Sequence, residues 1–267
     1  MKVKYILIIV LTLVQTISAQ TINPLIIAHR GASGDAPENT VASANLAWEY
    51  NADAVEIDIH LSKDQKVMVH HDASTKRICN KDLIIKKTAS KQLRKLDAGS
   101  FKDDKYSGEK IPFLSEVIET VPVGKKLVVE IKSGIDVVDQ MAKVIDASGK
   151  LDQMIFISFH FDAIVKAKQL FPNNKSFFLI HSLSDDYASL FQKVKDNKLD
   201  GVDLNYKLID ETVKQTAQNM DLELHCYTVN DAAIAKDLAK LGVHSITTDF
   251  PKKMTQAIAV KSKFSTK

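Results

Sequence analysis

Short apolar runs alternate with amphipathic stretches along most of this chain. Runs of β-branched and aromatic residues over 25–29, 54–60, 126–132, 155–159, 176–181, 201–205, 223–228 and 245–249 predict eight strands. Between them apolar residues recur every three or four positions, as in Val137, Met141, Val144 and Ile145, or Ile164, Ala167 and Leu170. That spacing predicts helices with one buried face. A strand followed by a crossing helix re-enters the sheet parallel to the first, so the alternation implies a parallel sheet covered by helices. Eight such units in roughly 240 residues predict a closed (β/α)8 TIM barrel. An open doubly wound sheet would usually place a glycine-rich phosphate loop after its first strand, and the sequence has none there.

One unit is interrupted. Positions 67–70 read as a short extra strand, and about 73–111 carries many lysines, few large apolar residues and turn signals at Ala98-Gly99 and Ser107-Gly108. This predicts a small insertion after the second strand, lying over the barrel mouth. No second domain, internal repeat or low-complexity tract is evident, and the tail 261–267 is expected to fray.

The N-terminal end differs from the rest. Lys2 and Lys4 precede an uncharged run from Tyr5 to Ser18 that Ala19 closes, the pattern of a secretory signal peptide over 1–19 cleaved between Ala19 and Gln20. The run is short for a spanning helix and no cysteine follows it, so the barrel domain 20–267 is expected in the periplasm or the medium, without stable membrane insertion. The 267 residues are 45% hydrophobic and 26% charged, enough to bury one large core. Net charge is +3 from 36 basic and 33 acidic residues; Lys2 and Lys4 leave with the signal, and the processed chain is close to neutral. With no basic stripe interleaved with aromatics, this balance argues against nucleic acid as a partner. Export would permit a disulfide, but Cys79 falls in a loop and Cys226 in a strand, so two unpaired thiols are expected. The oligomeric state has no signature in the sequence.

Active sites in barrels form where strands end and the loops to the next helices begin. His29, Glu56 with Asp58, Glu130 with Lys132, and later Ser158, His181, Asn205, Tyr227 and Asp249 fall at or near those ends. Period-two geometry turns Val55, Ile57 and Ile59 toward the helices and Glu56 with Asp58 into the barrel; it likewise sets Glu130 and Lys132 against Val129 and Ile131. Three inward carboxylates repel and retain protons unless cations compensate them. Ion pairs with Arg30 and Lys132 are one solution. One divalent metal is the other, and an all-oxygen ligand set favours Ca²⁺ or Mg²⁺ over Zn²⁺. His29 and His71 flank the same carboxylates and suit a general base and a general acid. Arg30 and Lys132 supply fixed positive charge for a phosphoryl group. His70, His160, His181, His225 and His244 read as structural or exposed, with only His181 at a favourable strand end.

The ordered set His29-Arg30-Gly31, Pro37-Glu38-Asn39-Thr40, Glu56-x-Asp58, Lys63-Asp64, His71-Asp72, Ile111-Pro112-x-Leu114, Glu130-x-Lys132, Thr228-Val229-Asn230 and Thr248-Asp249-x-Pro251 resembles the glycerophosphodiester phosphodiesterase family, as a secreted bacterial-type member. The resemblance implies hydrolysis of a small-molecule glycerophosphodiester to sn-glycerol 3-phosphate and an alcohol. It implies a divalent metal on Glu56, Asp58 and Glu130, His29 and His71 as the acid–base pair, and Arg30 and Lys132 on the phosphate. Tyr227, where many members carry Trp, joins Arg30 and Lys132 among the substrate-binding residues. Gln65 replaces a common Gly, and Lys76-Arg77-Ile78-Cys79 departs from the usual segment after His-Asp, which leaves the preferred head group open. The expected acid is His71, because the lysine-rich insertion beyond it should lie near the leaving group, and the expected base is His29. A phospholipase D-like phosphodiesterase acting on lysophospholipids uses similar parts, but no membrane-binding face supports it. A non-catalytic phosphodiester-binding module would have lost a histidine or a ligand, and all five positions are present.

Overall fold

The computed structural model describes residues 23–259. The signal peptide expected over 1–19 and the tail 261–267 lie outside the described residues. In chain order the elements are β1 (Leu25–Ala28), α1 (Val41–Glu49), β2 (Ala54–Leu61), β3 (Val67–Val69), α2 (Ser90–Leu93), α3 (Leu114–Thr120), β4 (Lys126–Ile131), α4 (Val138–Ser148) and β5 (Met154–Ser158). They continue as α5 (Phe161–Leu170), β6 (Ser176–Ile180), α6 (Tyr187–Asp196), β7 (Gly201–Asn205), α7 (Glu211–Asn219), β8 (Glu223–Tyr227), α8 (Ala232–Leu241), β9 (Ser245–Thr248) and α9 (Pro251–Ala259).

Eight of the strands close on themselves in the order β1-β9-β8-β7-β6-β5-β4-β2, and β1 pairs back onto β2 through Ile27 with Ala54 and Ala28 with Val55. All eight pair in parallel. This is the (β/α)8 TIM barrel expected from the alternation. The pleat divides each strand between two apolar layers. Val55, Ile57 and Ile59 of β2 and Val129 and Ile131 of β4 join the helices in the outer core, whereas Ile27, Ala54, Val128, Ile157, Phe177 and Leu179 form a plug inside the barrel. Val138, Met141 and Ile145 of α4 and Ala163, Ile164 and Ala167 of α5 supply the helical side. Leu170, read as part of the buried face of α5, instead stands 45% exposed at its last turn.

Several strands stop one residue short of the expected ends, so His29, Lys132, Phe159, His181, Thr228 and Asp249 are the first residues past a strand. Such positions keep the strand's aim while escaping its hydrogen-bond ladder, which is why barrel mouths place reactive side chains there.

Beyond the barrel end of β2, β3 folds back antiparallel, pairing Ile59 with Val69 and Leu61 with Val67. Gln65 sits in the connecting turn at φ 60°, a left-handed conformation that explains why glycine suits this position. Asp64 accepts from both the backbone N–H and the hydroxyl of Ser90 at 2.7 Å, tying the turn to the start of α2. The segment that follows is not merely polar. Met68, Ile78, Cys79, Ile85, Leu93, Leu96, Ala98 and Ile111 bury a small core of their own, separate from the barrel's. Cys79 belongs to this core and Cys226 to the barrel's outer one; both are buried and free. Among the described residues no helix is long and apolar enough to cross a membrane.

Candidate active site

The loop after β1 turns sharply. Arg30 and Gly31 adopt φ of 54° and 78°, and a side chain on Gly31 would fall 2.4 Å from Ser43 Oγ, so only glycine fits against α1. This bend places the Arg30 backbone N–H 2.9 Å from Glu56 Oε2 and its guanidinium between Glu38, at 3.0 Å, and Asp58, at 3.4 Å. Asn39, also left-handed at φ 57°, clasps Asp58 twice: its amide donates to Oδ2 at 2.8 Å while its oxygen accepts from the Asp58 backbone N–H at 3.1 Å.

Glu56, Asp58 and Glu130 are all buried, and an oxygen from each lies within 4.8 Å of the others. Glu56 Oε1, Asp58 Oδ1 and Glu130 Oε1 have no hydrogen-bond partner. Lys132 Nζ stands 2.9 Å from Glu130 Oε1 and 3.4 Å from Asp58 Oδ1, an ionic contact without hydrogen-bond alignment. Burial, then repulsion from Asp58, pushes the Glu56 and Glu130 carboxyls up. Burial would raise Asp58 as well, but Lys132 and Arg30 outweigh it and hold Asp58 ionised. Two fixed cations facing three carboxylates leave the cluster short of positive charge, so it retains protons or takes a further cation. Three gathered, donor-free oxygens with no nitrogen or sulfur among them can bind a hard metal ion.

The two histidines are held alike. His29 Nδ1 lies 2.7 Å from Asp249 Oδ1, and Asp249 is fixed by Ser33 Oγ at 3.0 Å and Asn230 Nδ2 at 2.6 Å. Burial would raise Asp249, but these hydrogen bonds, His29's first, hold it at about 2. His71 Nδ1 lies 2.6 Å from Asp72 Oδ1, and Arg77 of the insertion donates to Asp72 at 2.7 Å and grips Glu38 with two bonds of 2.7 and 2.8 Å. A carboxylate accepts at each Nδ1, so Nδ1 carries the proton and Nε2 is the nitrogen left to exchange one. Burial, with the Arg30 and Lys132 cations adding to it, pulls His71 below the ordinary histidine range.

His29, Arg30, Glu56, His71, Glu130, Lys132 and Tyr227 line one cavity of about 200 Å³, and Asp58 lies against it. All eight residues singled out from the sequence are thus brought together. The rest of the wall is Ile157, Phe159, Leu179, Asp203, Thr228 and Thr247. Phe159 meets Tyr227 edge to face at 6.0 Å, and Tyr227 is anchored by its hydroxyl, which donates to the Ile180 carbonyl at 3.0 Å. His181 is exposed and outside the cavity; His160 and His244 are exposed, while His70 and His225 are buried.

The sequence reading did not single out Asp203 or His60 as site residues, and it named Asp72, Asp249 and Arg77 without their orienting role. Asp203 sits at the inward position of β7 between Val202 and Leu204, where the same period-two test that found Glu56 and Asp58 would have found it. His60 continues the inward series of β2, and its Nε2 lies 3.0 Å from the His71 carbonyl. Asp72, Asp249 and Arg77 orient the histidines, and their partners are set by the fold rather than by spacing.

Residues 29–253 match the sequence profile of the Glycerophosphoryl diester phosphodiesterase family. Among curated proteins, the chain is 31% identical over 239 residues to a glycerophosphodiester phosphodiesterase of Caldanaerobacter subterraneus, covering 88% of this chain and 97% of that one. It is 30% identical over 246 residues to the glycerophosphodiester phosphodiesterase of Bacillus subtilis, covering 85% and 84%. Among solved structures, an Oleispira antarctica phosphodiesterase in complex with the product sn-glycerol-3-phosphate superposes with a TM-score of 0.83 at 30% identity, over 89% of this chain and 97% of that one. By its profile match and these relatives, the chain belongs to the glycerophosphoryl diester phosphodiesterase family.

Proposed function

We propose that this chain is a metal-dependent glycerophosphodiester phosphodiesterase that releases sn-glycerol 3-phosphate and an alcohol. The observation that carries the reading is the meeting, at one cavity, of three buried carboxylates each with one oxygen free of hydrogen bonds, two cations, and two histidines each oriented by its own carboxylate. The solved relative bound to sn-glycerol-3-phosphate supports the product.

Glu56, Asp58 and Glu130 would hold one Ca²⁺ or Mg²⁺. Bound there, the ion supplies Lewis-acid stabilisation of negative charge on a phosphoryl oxygen. Arg30 and Lys132 bind and orient the phosphodiester anion, adding fixed positive charge where the transition state gains negative charge. His29 Nε2 takes the proton of the attacking nucleophile, either water itself or a neighbouring glycerol hydroxyl whose cyclic phosphate water then opens, while Asp249 stabilises the imidazolium that forms. His71 Nε2 gives its proton to the departing alkoxide, a poor leaving group otherwise. In the free enzyme His71 is held toward its neutral form; the phosphate anion, by neutralising Arg30 and Lys132, favours the protonated donor. Phe159 and Tyr227 wall the cavity against water and shape it for the carbon skeleton. The signal-like sequence pattern over 1–19 supports a periplasmic or extracellular enzyme that meets diesters outside the cytoplasm.

A coupled assay for released glycerol 3-phosphate, run on glycerophosphocholine, glycerophosphoethanolamine and glycerophosphoglycerol, tests the reading. Turnover of at least one is expected. Hydrolysis of lysophospholipid with none of these diesters turned over would overturn it.

A further inference from the structure

Asp203 has no place in the chemistry described so far. Its side chain is 3% exposed, yet it lines the cavity from β7, across the barrel from Glu56 and Glu130. Register sets it level with Leu179 of β6 and His225 of β8, one inward step below Asn205 and Tyr227 at the rim. Oδ1 is buried without any hydrogen-bond partner, and no charge or hydrogen bond offsets the cost of burying the group. A buried polar atom left unpaired is expensive, and evolution of a barrel plug from Ile157, Phe177 and Leu179 would have been served better by valine. The residue lines a cavity built for a ligand, so a ligand group is the natural partner for its carboxyl.

The chemistry of that partner follows from the surroundings. A phosphate is already met by Arg30 and Lys132 on the opposite wall. A cationic head group calls for an ionised acid, which burial disfavours here: the carboxyl is pushed up to about 8. A protonated carboxyl offers one O–H and one free carbonyl oxygen, matching an alcohol, which also donates once and accepts. Ile157 and Leu179 beside it suit the carbon atoms that carry such a hydroxyl.

We propose that Asp203 is a specificity-determining residue that binds a hydroxyl of the polyol portion of the substrate at the inner wall of the cavity. This rests on the phosphodiesterase reading and adds to it the contact that distinguishes a hydroxylated ester from a plain alkyl one. A site built to hydrogen-bond a hydroxyl discriminates strongly against ligands lacking it, because its own polar group is then stranded.

Binding separates this from the reading beneath it. With Mg²⁺ present, calorimetry of sn-glycerol 3-phosphate and n-propyl phosphate on the purified chain should show a clear preference for the hydroxylated ligand. Asp203→Leu should cut that preference by ~10–100-fold while the n-propyl phosphate Kd moves by no more than about 3-fold. Asp203→Asn, which keeps a donor and an acceptor, should retain most of it. On a glycerophosphodiester, the leucine variant should raise KM more than it lowers kcat. Should that variant not fold, Asp203→Ala carries the same expectations. An unchanged preference in the folded variant, or equal loss for both ligands, overturns the proposal. Failure of wild type to hydrolyse any glycerophosphodiester would instead strike the phosphodiesterase reading, whatever the binding ratios.

Discussion

The cavity has two walls of opposite construction. On the β1, β2 and β4 side the inward positions near the mouth are His29, Glu56, Asp58, Glu130 and Lys132; on the β5 to β8 side they are Ile157, Phe159, Leu179, Asp203 and Tyr227. The first wall is held by charge. Arg30 reaches Glu38 and Asp58, Lys132 reaches Glu130 and Asp58, and Asn39 clasps Asp58 from behind. The second is held by packing, with Phe159 against Tyr227 and a hydroxyl pinned to a backbone carbonyl. A phosphodiester has the same two sides, an anionic centre and carbon-rich arms. On the proposed function, bond breaking belongs to the charged wall and fit to the other.

The largest effect should come from emptying the charged wall. Exhaustive chelation should abolish turnover and Mg²⁺ or Ca²⁺ should restore it, since losing Lewis-acid stabilisation of several kcal/mol costs on the order of 10³-fold or more. Glu56→Gln, Asp58→Asn and Glu130→Gln should each weaken the ion's affinity by calorimetry, with far-UV circular dichroism unchanged. Full activity after EDTA dialysis would dissolve the distinction between the walls.

Next come the histidines. His29→Ala and His71→Ala should each lower turnover of a glycerophosphodiester by ~10²–10⁴-fold. A p-nitrophenyl ester departs without protonation, so the His71 variant should recover much of its rate on it and the His29 variant should not. Equal defects on both esters would reject the assignment of acid and base.

Smaller again is the loss expected from the residues that only orient. Asp249→Asn and Arg77→Ala leave both imidazoles in place but remove what fixes the ring, or what fixes Asp72, so ~10–100-fold in kcat is expected.

These orienting residues mark the boundary of what the sequence could tell. The eight strands, the inward aim of Glu56, Asp58 and Glu130, and the strand-end position of the two histidines followed from periodicities of two to four residues, which local spacing records faithfully. Asp249 is 220 positions from His29, and no local pattern links them; only barrel closure through the pairing of β1 with β9 does. The insertion was legible as an interruption but not as a structure, because its buried residues from Met68 to Ile111 are scattered among lysines without either period. Arg77 lay in the segment that departs from the family pattern, yet it reaches Asp72 and Glu38 together.

A pH series sharpens the comparison further. Burial and mutual repulsion raise Glu56 and Glu130, so below their shifted values these groups carry protons that an incoming cation must displace. Metal affinity should therefore rise with pH and fall away as pH drops, by up to about tenfold per pH unit for each proton released. Calorimetry between pH 6 and 8, in buffers of different ionisation enthalpy, would count the protons. A flat affinity would mean that Arg30 and Lys132 already keep all three carboxyls ionised.

The smallest effects belong to the packed wall. Tyr227→Phe removes a hydroxyl that donates to Ile180 but keeps the ring against Phe159, so it should cost about 1 kcal/mol of stability at most and change kcat by less than about threefold. Phe159→Ala takes away both the edge-to-face partner of Tyr227 and the ring that Lys132 approaches at 5.8 Å. Its losses should appear in KM, and unequally among head groups, because a wall that sets shape contributes to ground-state and transition-state binding alike. Steady-state kinetics on glycerophosphocholine and glycerophosphoethanolamine measure this directly. A drop in kcat as deep as that of the histidine variants would show that the aromatic wall takes part in the chemistry, and the separation of bond breaking from fit would no longer hold.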